Sequence, residues 1–373
     1  MQKVAVLFGG KSCENEISVL TGVFVLNILD RTKYIPVPIY IHTDGGMYTC
    51  EKMHDLNLFK ERKYSQFERV FFDGGSLYAL NAAKRRIKRL GKIDVALNCC
   101  HGGLGEGGGV SALMELNGVP LASPSLTPSG IFMDKYLTKL IAKSLNVPTL
   151  DYIRVNEKDY EKRGAFLLKS VETKLKYPVI VKPSHLGSSI GIVVANDEKE
   201  LKEALASAFL LDERVIVEKY LSEKKDVNCA AYSLGEEIFI SEPETAFGAG
   251  FYSFEEKYLK NNGDGIGKNT KVGGRYALKG ELRDRIRAYT KTVYKRMDLK
   301  GVVRLDFLVS GKEVYLCEVN TVPGSLAYYL FCERLTDARR FFSDLIEDGI
   351  KRGNQEKQIL STGILHSVRK RRK

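Results

Sequence analysis

No run of apolar residues in this sequence approaches the ~18 that a membrane-crossing helix needs, so a membrane span is not expected. The opening run, Val4 to Phe8, is only five apolar residues long before it meets Gly9-Gly10. That is the length of a strand and too short for an export signal, which makes the cytoplasm the expected location. Cysteine is sparse and unpatterned. Seven residues (13, 50, 99, 100, 229, 317, 332) make an odd number, and only Cys99 and Cys100 are neighbours. This excludes a disulfide framework and matches no usual metal spacing, so reduced thiols are expected. Zinc-finger spacing, the aromatic-glycine run of RNA-binding modules and a Walker A loop are also missing. So are internal repeats and low-complexity tracts, apart from a basic end.

What is present is ordinary globular composition, 44% hydrophobic and 28% charged over 373 residues. That length suggests about two to three domains. The net charge of +12 favours anionic ligands, from nucleotides to nucleic acid. Part of it sits in Arg369-Lys370-Arg371-Arg372-Lys373, a composition more typical of a solvated tail than of a binding arm. With no recognition module in view, no specific nucleic acid is expected as partner.

Val4 to Phe8, the helical spacing of Ile17, Leu20, Phe24, Ile28 and Leu29, and the apolar Tyr34 to Ile41 read as a βαβ start. Ser12 is the expected N-cap of that first helix. Residues 51–92 are charged and weakly patterned. Asp94 to Asn98 reads as a strand running into His101-Gly102-Gly103-Leu104-Gly105-Glu106-Gly107-Gly108-Gly109, with a helix from Val110 to Leu116. A second unit opens near Ser123-Pro124, with a helix over Lys135 to Ser144 and strands at Tyr177 to Lys182 and Arg214 to Glu218. A third follows from about Ser222. Its polar stretch Lys260 to Gly274 reads as a mobile loop, and Gly301 to Val309 and Glu313 to Val319 read as a hairpin closed by Ser310-Gly311-Lys312.

Side chains alternate along a strand, so Arg304 and Asp306 share one face of that hairpin, as do Glu318 and Asn320 on the other strand. If the two faces coincide, Asp306, Glu318 and Asn320 form an oxygen cluster of the kind that holds Mg²⁺ together with substrate phosphates. The solvated face of a hairpin accounts for the spacing equally well. Lys182 through Gly191 places a lysine at the end of a buried strand before a small-residue turn, a loop suited to phosphates or simply a tight turn. Glu14 and Glu16 open the first helix, where acidic side chains favour the helix dipole and could equally meet a substrate ammonium. His101 precedes the glycine-rich loop, and Lys257-Tyr258 lies in the polar stretch.

Taken in order, these segments resemble the D-alanine–D-alanine ligase family of the ATP-grasp superfamily. The matching runs are Leu7 to Ser18, His101 to Glu106, Met133-Asp134-Lys135 with Lys139, Lys182 to Gly191, Val217 to Leu221, Phe251-Tyr252 through Lys257-Tyr258, Arg304 to Phe307, and Glu318 to Thr321 with Pro323-Gly324. They span nearly the whole chain, and their shared order is more specific than any one of them. The resemblance implies a mixed α/β, three-subdomain ATP-grasp fold with a parallel-sheet N-terminal domain. Its expected divisions are 1–123 (substrate), 124–221 (central ATP-grasp unit) and 222–373 (C-terminal unit with lid and metal site). It implies that Lys135 and Lys182 hold the ATP phosphates under a loop carrying Ser188 and Ser189. Glu218, Lys219, Tyr220 and Leu221 would form the hinge at adenine, with Asp226 at the ribose. Asp306, Glu318 and Asn320 would bind two Mg²⁺ (or Mn²⁺) ions. Glu14 would meet the first D-alanine's ammonium and His101 its carboxylate. Tyr258 would link Ser188 to Glu14, and Lys257 and Tyr329 would lie at the substrates. Arg304 and the Gly324 N–H would face the oxyanion.

The implied reaction is ATP-dependent joining of two D-alanine molecules through an acyl phosphate, for peptidoglycan precursors. The carboxylate is a poor electrophile, and phosphorylation gives it a good leaving group. Charge neutralisation by metal and lysines supplies most of what that transfer needs, and shielding from water gives the 250–274 loop its expected role as a lid. The small-molecule partners are D-amino acids, and a second copy of the chain, as a homodimer, is the expected protein partner. Two departures stand out. Glu106 is followed by Gly107-Gly108 where the family usually has aspartate and glycine. Tyr329 stands where the family usually has a serine that meets the second substrate. A different second D-amino or D-hydroxy acid is therefore a competing reading, and a nucleotide-binding homologue without ligase activity is another.

Overall fold

The computed structural model describes residues 1–81, 85–245, 278–354 and 360–364. Three sheets carry the chain. The first runs, in spatial order, Arg86–Lys92, Ser76–Asn81, Glu68–Asp73, Met47–Thr49, Tyr34–Ile41, Gln2–Gly9 and Val95–Asn98. Gln2–Gly9 pairs in parallel with both of its neighbours, which is the βαβ start read from the apolar runs. The weakly patterned 51–92 region supplies the three antiparallel strands at the far side. Its last strand, Arg86–Lys92, lies at the sheet edge and is mostly exposed, so it lacks an apolar alternation to read.

The first helix, Asn15–Ile28, is buried on most of its surface. Ser12 does not cap it. Glu14 occupies the cap position, while the Ser12 hydroxyl donates to the His101 carbonyl at 2.6 Å and accepts the Glu14 N–H at 3.2 Å. Inside the helix, Ser18 Oγ accepts the Gly9 N–H at 2.6 Å and donates to the Cys99 carbonyl at 2.7 Å. This ties the ends of two parallel strands to the helix. Gly9 has φ +92°, and a Cβ there would lie 2.4 Å from the Ile41 carbonyl oxygen. Only glycine permits this close turn.

The second sheet, ordered Val193–Ala195, Val179–Pro183, Arg214–Lys219 and Tyr152–Asn156, is antiparallel. It packs its own valine and leucine core against helices Glu157–Lys174 and Glu198–Phe209. The third sheet is ordered Glu237–Ile240, Lys225–Leu234, Val303–Ser310 and Glu313–Asn320, with Glu244–Thr245 beside Lys225–Leu234. Helix Gly280–Arg296 covers it through Ile286, Val293 and Tyr294. The expected hairpin is there, closed at Gly311 with φ +58°.

Two of the cores join segments that are distant in the chain. Phe132, Ala142 and Val147, from the segment after residue 124, pack with the third sheet. The final helix, Leu335–Gly353, shares a core with the first helix. Phe24 lies 4.7 Å from the Tyr328 ring and 5.9 Å from Phe342. The first and third units are thus welded by aromatic packing, and the second sheet is the separately cored unit. Among the described residues, no helix is long and apolar enough to cross a membrane.

Candidate active site

A cleft of about 280 Å³ opens where the three units meet. Glu14 and His101 reach it from the first unit, and Lys135, Ser188 and Ser189 from the helix and loop beside the second sheet. Arg304, Glu318, Asn320 and Gly324 come from the third. Nine of the residues singled out in the sequence therefore line one cavity. Lys182, Glu218, Asp306 and Tyr329 are connected to it by the contacts below. Lys257, Tyr258, the expected lid and the basic tail lie outside the described residues.

The hairpin brings the two expected faces together. Arg304 pairs with Asn320 and Asp306 with Glu318. Arg304 donates to both Asp306 oxygens, from Nε at 2.7 Å and Nη2 at 2.8 Å, and Asn320 Nδ2 donates to Asp306 Oδ2 at 3.0 Å. Burial first, then the nearby Glu318 charge, raises the Asp306 pKa against the pull of Arg304. Two carboxylates and an amide whose nitrogen is turned inward, leaving its oxygen as the outward donor, suit a hard divalent cation. After Asp306 the register slips, so that Phe307 faces Leu316 and Cys317 is the extra residue of a β-bulge. The bulge brings Cys317 Sγ within 3.8 Å of Lys182 Nζ. A bulge has no signature in the alternation, and Cys317 was not expected here.

Lys182 and Glu218 form a buried charge cluster with a third member that the sequence reading gave no role. Glu218 accepts from Lys182 Nζ at 2.9 Å and lies 3.1 Å from Lys139 Nζ. Lys139 also lies 5.4 Å from the Tyr152 ring centre. Burial works against the Glu218 charge, but the two ammonium groups outweigh it and hold the carboxyl at about 2. Lysines four apart, at 135 and 139, lie on one helix face, and that spacing was the available signal. Asp226 is exposed and pairs with Lys224 at 2.9 Å. Its strand sets Asn228 opposite Asp306 and Ala230 opposite Arg304, so Asp226 lies on the site face.

Lys135 Nζ donates to the Leu186 carbonyl and lies 3.9 Å from Glu318 Oε2. The loop beyond carries left-handed backbone at Ser188 and Ser189, with φ +51° and +58°, a strained geometry that collects at functional sites. Ser188 Oγ donates to Glu14 Oε1. A Cβ at Gly187 would lie 2.8 Å from Glu14 Oε2, so a side chain there would displace this contact.

His101 is buried with both ring nitrogens engaged. Nδ1 lies 2.7 Å from the Val322 carbonyl and Nε2 2.8 Å from Thr21 Oγ1. The carbonyl can only accept, so Nδ1 carries the proton and Nε2 accepts from Thr21. Thr21 Oγ1 accepts the Ser325 N–H in turn at 3.2 Å. Burial, with a smaller push from Arg304, lowers the His101 pKa to about 4. This relay holds the 325–327 turn, three consecutive non-glycine residues with φ near +50°. Nearby, the half-buried Glu106 carboxyl accepts N–H groups of Gly102 at 2.8 Å and Val322 at 3.3 Å, and desolvation raises it to about 7. Tyr328 enters the core. Tyr329 turns its hydroxyl to Arg304 Nη1 at 3.2 Å.

A phosphate-type loop, a buried lysine cluster and a carboxylate hairpin around one cleft define a nucleotide-dependent ligase of the ATP-grasp type. Family models for the D-ala D-ala ligase N-terminus and C-terminus match residues 3–124 and 141–351. D-alanine–D-alanine ligase of Thermosipho melanesiensis is 32% identical over 98% of both chains. That of Thermosipho africanus is 36% identical over 89% of this chain and 88% of its own. The crystal structure of D-alanine–D-alanine ligase from Helicobacter pylori superposes with a TM-score of 0.74 at 28% identity, covering 93% of this chain and 98% of that one. The Coxiella burnetii enzyme, at 20% identity, shares the fold with a TM-score of 0.77 over both full chains. The chain belongs to the D-alanine–D-alanine ligase family.

Proposed function

We propose that the cleft activates one D-alanine carboxylate with ATP and hands it to the amine of a second. The chain is an ADP-forming carbon–nitrogen ligase that joins D-alanine to D-alanine for peptidoglycan precursor synthesis. The observation that carries the residue assignments is the convergence of Glu14, Lys135, Ser188, Arg304 and Glu318 on one cavity.

In this reading Lys135 and Lys182 take the phosphates, and the loop bearing Ser188 and Ser189 closes over them. The hinge Glu218 to Leu221 meets adenine through its backbone, since the Glu218 carboxylate is committed to two lysines. Asp226 serves the ribose. Asp306, Glu318 and Asn320 would hold two Mg²⁺ ions, which neutralise phosphate charge when bound. Glu14 takes the first ammonium, oriented by Ser188, and Tyr258 and Lys257 join it on the substrate side. His101 stays neutral and holds the turn that presents the Gly324 N–H.

A carboxylate oxygen of the first D-alanine attacks the γ-phosphorus, and ADP leaves. The second amine attacks the resulting acyl phosphate at its carbonyl carbon. Arg304 and the Gly324 N–H stabilise the oxyanion, and phosphate leaves. Tyr329, anchored on Arg304, donates to the second substrate's carboxylate. That same tyrosine favours a second reading, in which another D-amino or D-hydroxy acid takes the second position. The 1–123, 124–221 and 222–373 divisions, a homodimeric assembly and cytoplasmic residence belong to the same proposal. Seven scattered cysteines, an odd number, suit a reducing compartment.

Phosphate release from ATP across a panel of D-amino and D-hydroxy acids, alone and in pairs, tests the reading. D-alanine alone should support turnover. Release only with an unlike pair would move the second site to the alternative substrate.

A further inference from the structure

The phosphate loop leaves the second sheet through a charged knot that the reaction scheme above does not use. His185, the second residue after the strand Val179–Pro183, is flanked by two buried carboxylates. Its Nδ1 lies 2.9 Å from Asp212 Oδ2, its backbone N–H donates to the same oxygen at 2.8 Å, and its Nε2 lies 3.4 Å from Asp134 Oδ2. With a carboxylate at each ring nitrogen, both nitrogens must donate, which only the imidazolium can do. Asp134 is also the N-cap of the helix Lys135–Ser144, accepting the N–H groups of Tyr136 at 2.8 Å and Leu137 at 3.3 Å. The Lys135 N–H donates to the Ser184 carbonyl at 3.0 Å. One imidazolium therefore joins the start of the loop, the start of the Lys135 helix and the turn before Arg214–Lys219.

We propose that His185 is a positioning residue: as imidazolium it fixes the phosphate loop against the Lys135 helix, and so sets where Lys135, Ser188 and Ser189 meet the β and γ phosphates. The inference rests on the reading that this loop covers the ATP phosphates. The other charges facing the knot are Arg214, whose Nη1 lies 3.5 Å from Asp134 Oδ2, and the outward Glu213, 3.4 Å from Arg214 Nε. His185 is the group whose titration loosens the knot. Its hydrogen bonds to Asp134 and Asp212, against the opposing effect of burial, raise its pKa to about 9. A raised histidine pKa means that the tether is complete at neutral pH and is lost as pH rises through about 9.

The test compares binding of a non-hydrolysable ATP analogue and of AMP, with Mg²⁺, to the full-length chain and its H185A and H185R variants. H185A should weaken the analogue about tenfold, the scale of one lost hydrogen bond to a charged group, and leave AMP unchanged. H185R, which keeps the charge and two donors, should restore the analogue. In the wild type the preference for the analogue over AMP should fall as pH passes about 9, and in H185R it should not. Equal weakening of both nucleotides by H185A, or none, overturns the inference. So does a wild-type preference that is flat through that pH, a measurement that stands even if H185A does not fold. A wild type that never prefers the analogue to AMP removes the phosphate-loop reading itself, which separates that failure from this one.

Discussion

Glu218→Gln should destabilise the protein more than any other single-atom exchange at the cleft. The carboxylate is 1% exposed and balances two ammonium groups, Lys182 at 2.9 Å and Lys139 at 3.1 Å. The amide keeps the shape but leaves two buried cations without a counter-charge. Two independent routes give the size. Breaking a buried ion pair by removing one partner costs ~3–5 kcal/mol. The fall of the Glu218 pKa from 4.5 to about 2 corresponds to ~3 kcal/mol of preference for the ionised form in the folded chain. A loss of ~3 kcal/mol lowers the melting temperature by roughly 4 °C when all 373 residues unfold together, at ~2.1 cal/mol/K of unfolding entropy per residue. The pH dependence fixes the mechanism. A depressed carboxyl contributes its stability above the unfolded value and loses it as pH falls through 4.5 towards about 2. The gap between wild type and Glu218→Gln should therefore be full at pH 7 and narrow below pH ~4.5. Thermal unfolding at a series of pH values measures both. A gap below ~1 kcal/mol at pH 7, the worth of an exposed pair, or a gap that does not narrow in acid, refutes the buried-cluster account.

Glu318→Gln should lower turnover by at least ~100-fold with the fold intact, because it removes one of the two carboxylates proposed for the metal; normal steady-state turnover would leave the hairpin without a metal role. Tyr329→Phe removes the hydroxyl that Arg304 reaches at 3.2 Å, and KM for the second substrate should rise by the equivalent of ~1.5–3 kcal/mol, with ATP affinity unchanged. Unchanged KM values at both amino-acid positions would return Tyr329 to packing alone. The His101 ring, neutral down to about pH 4, should show no NMR titration between pH 8 and 5, and a midpoint near the ordinary 6.5 would contradict the Thr21–His101–Val322 relay.

The hairpin was readable because one physical rule, alternation along a strand, determines which residues share a face, and Arg304, Asp306, Glu318 and Asn320 obey it. The Lys135–Ser144 helix was readable to the residue because Asp134 caps it. The unread parts share a different cause. Cys317 enters the site through a bulge that interrupts the same alternation. Lys139 looks like any surface lysine until Glu218 and Tyr152 close over it. Ser12 has the composition of an N-cap, but a carbonyl 89 residues away takes its hydroxyl.

Residue types in order can identify which chemistry a chain carries, because the reaction requires particular groups. They do not fix the protonation state of those groups, since each state depends on partners brought in from other units. Glu218 stays ionised because Lys182 from the adjacent strand and Lys139 from a neighbouring helix both meet it. His101 stays neutral because packing at the junction of the units desolvates it, and the Val322 carbonyl, 221 residues on, fixes its proton on Nδ1. Glu106 is pushed towards neutrality by desolvation at the junction of the units, against the N–H groups of Gly102 and Val322 that donate to it. In this ligase the charge pattern presented to ATP and D-alanine is therefore a product of domain assembly, and substitutions at the partners, Thr21, Lys139 and Asp212, should alter that pattern while leaving every substrate-contacting residue in place.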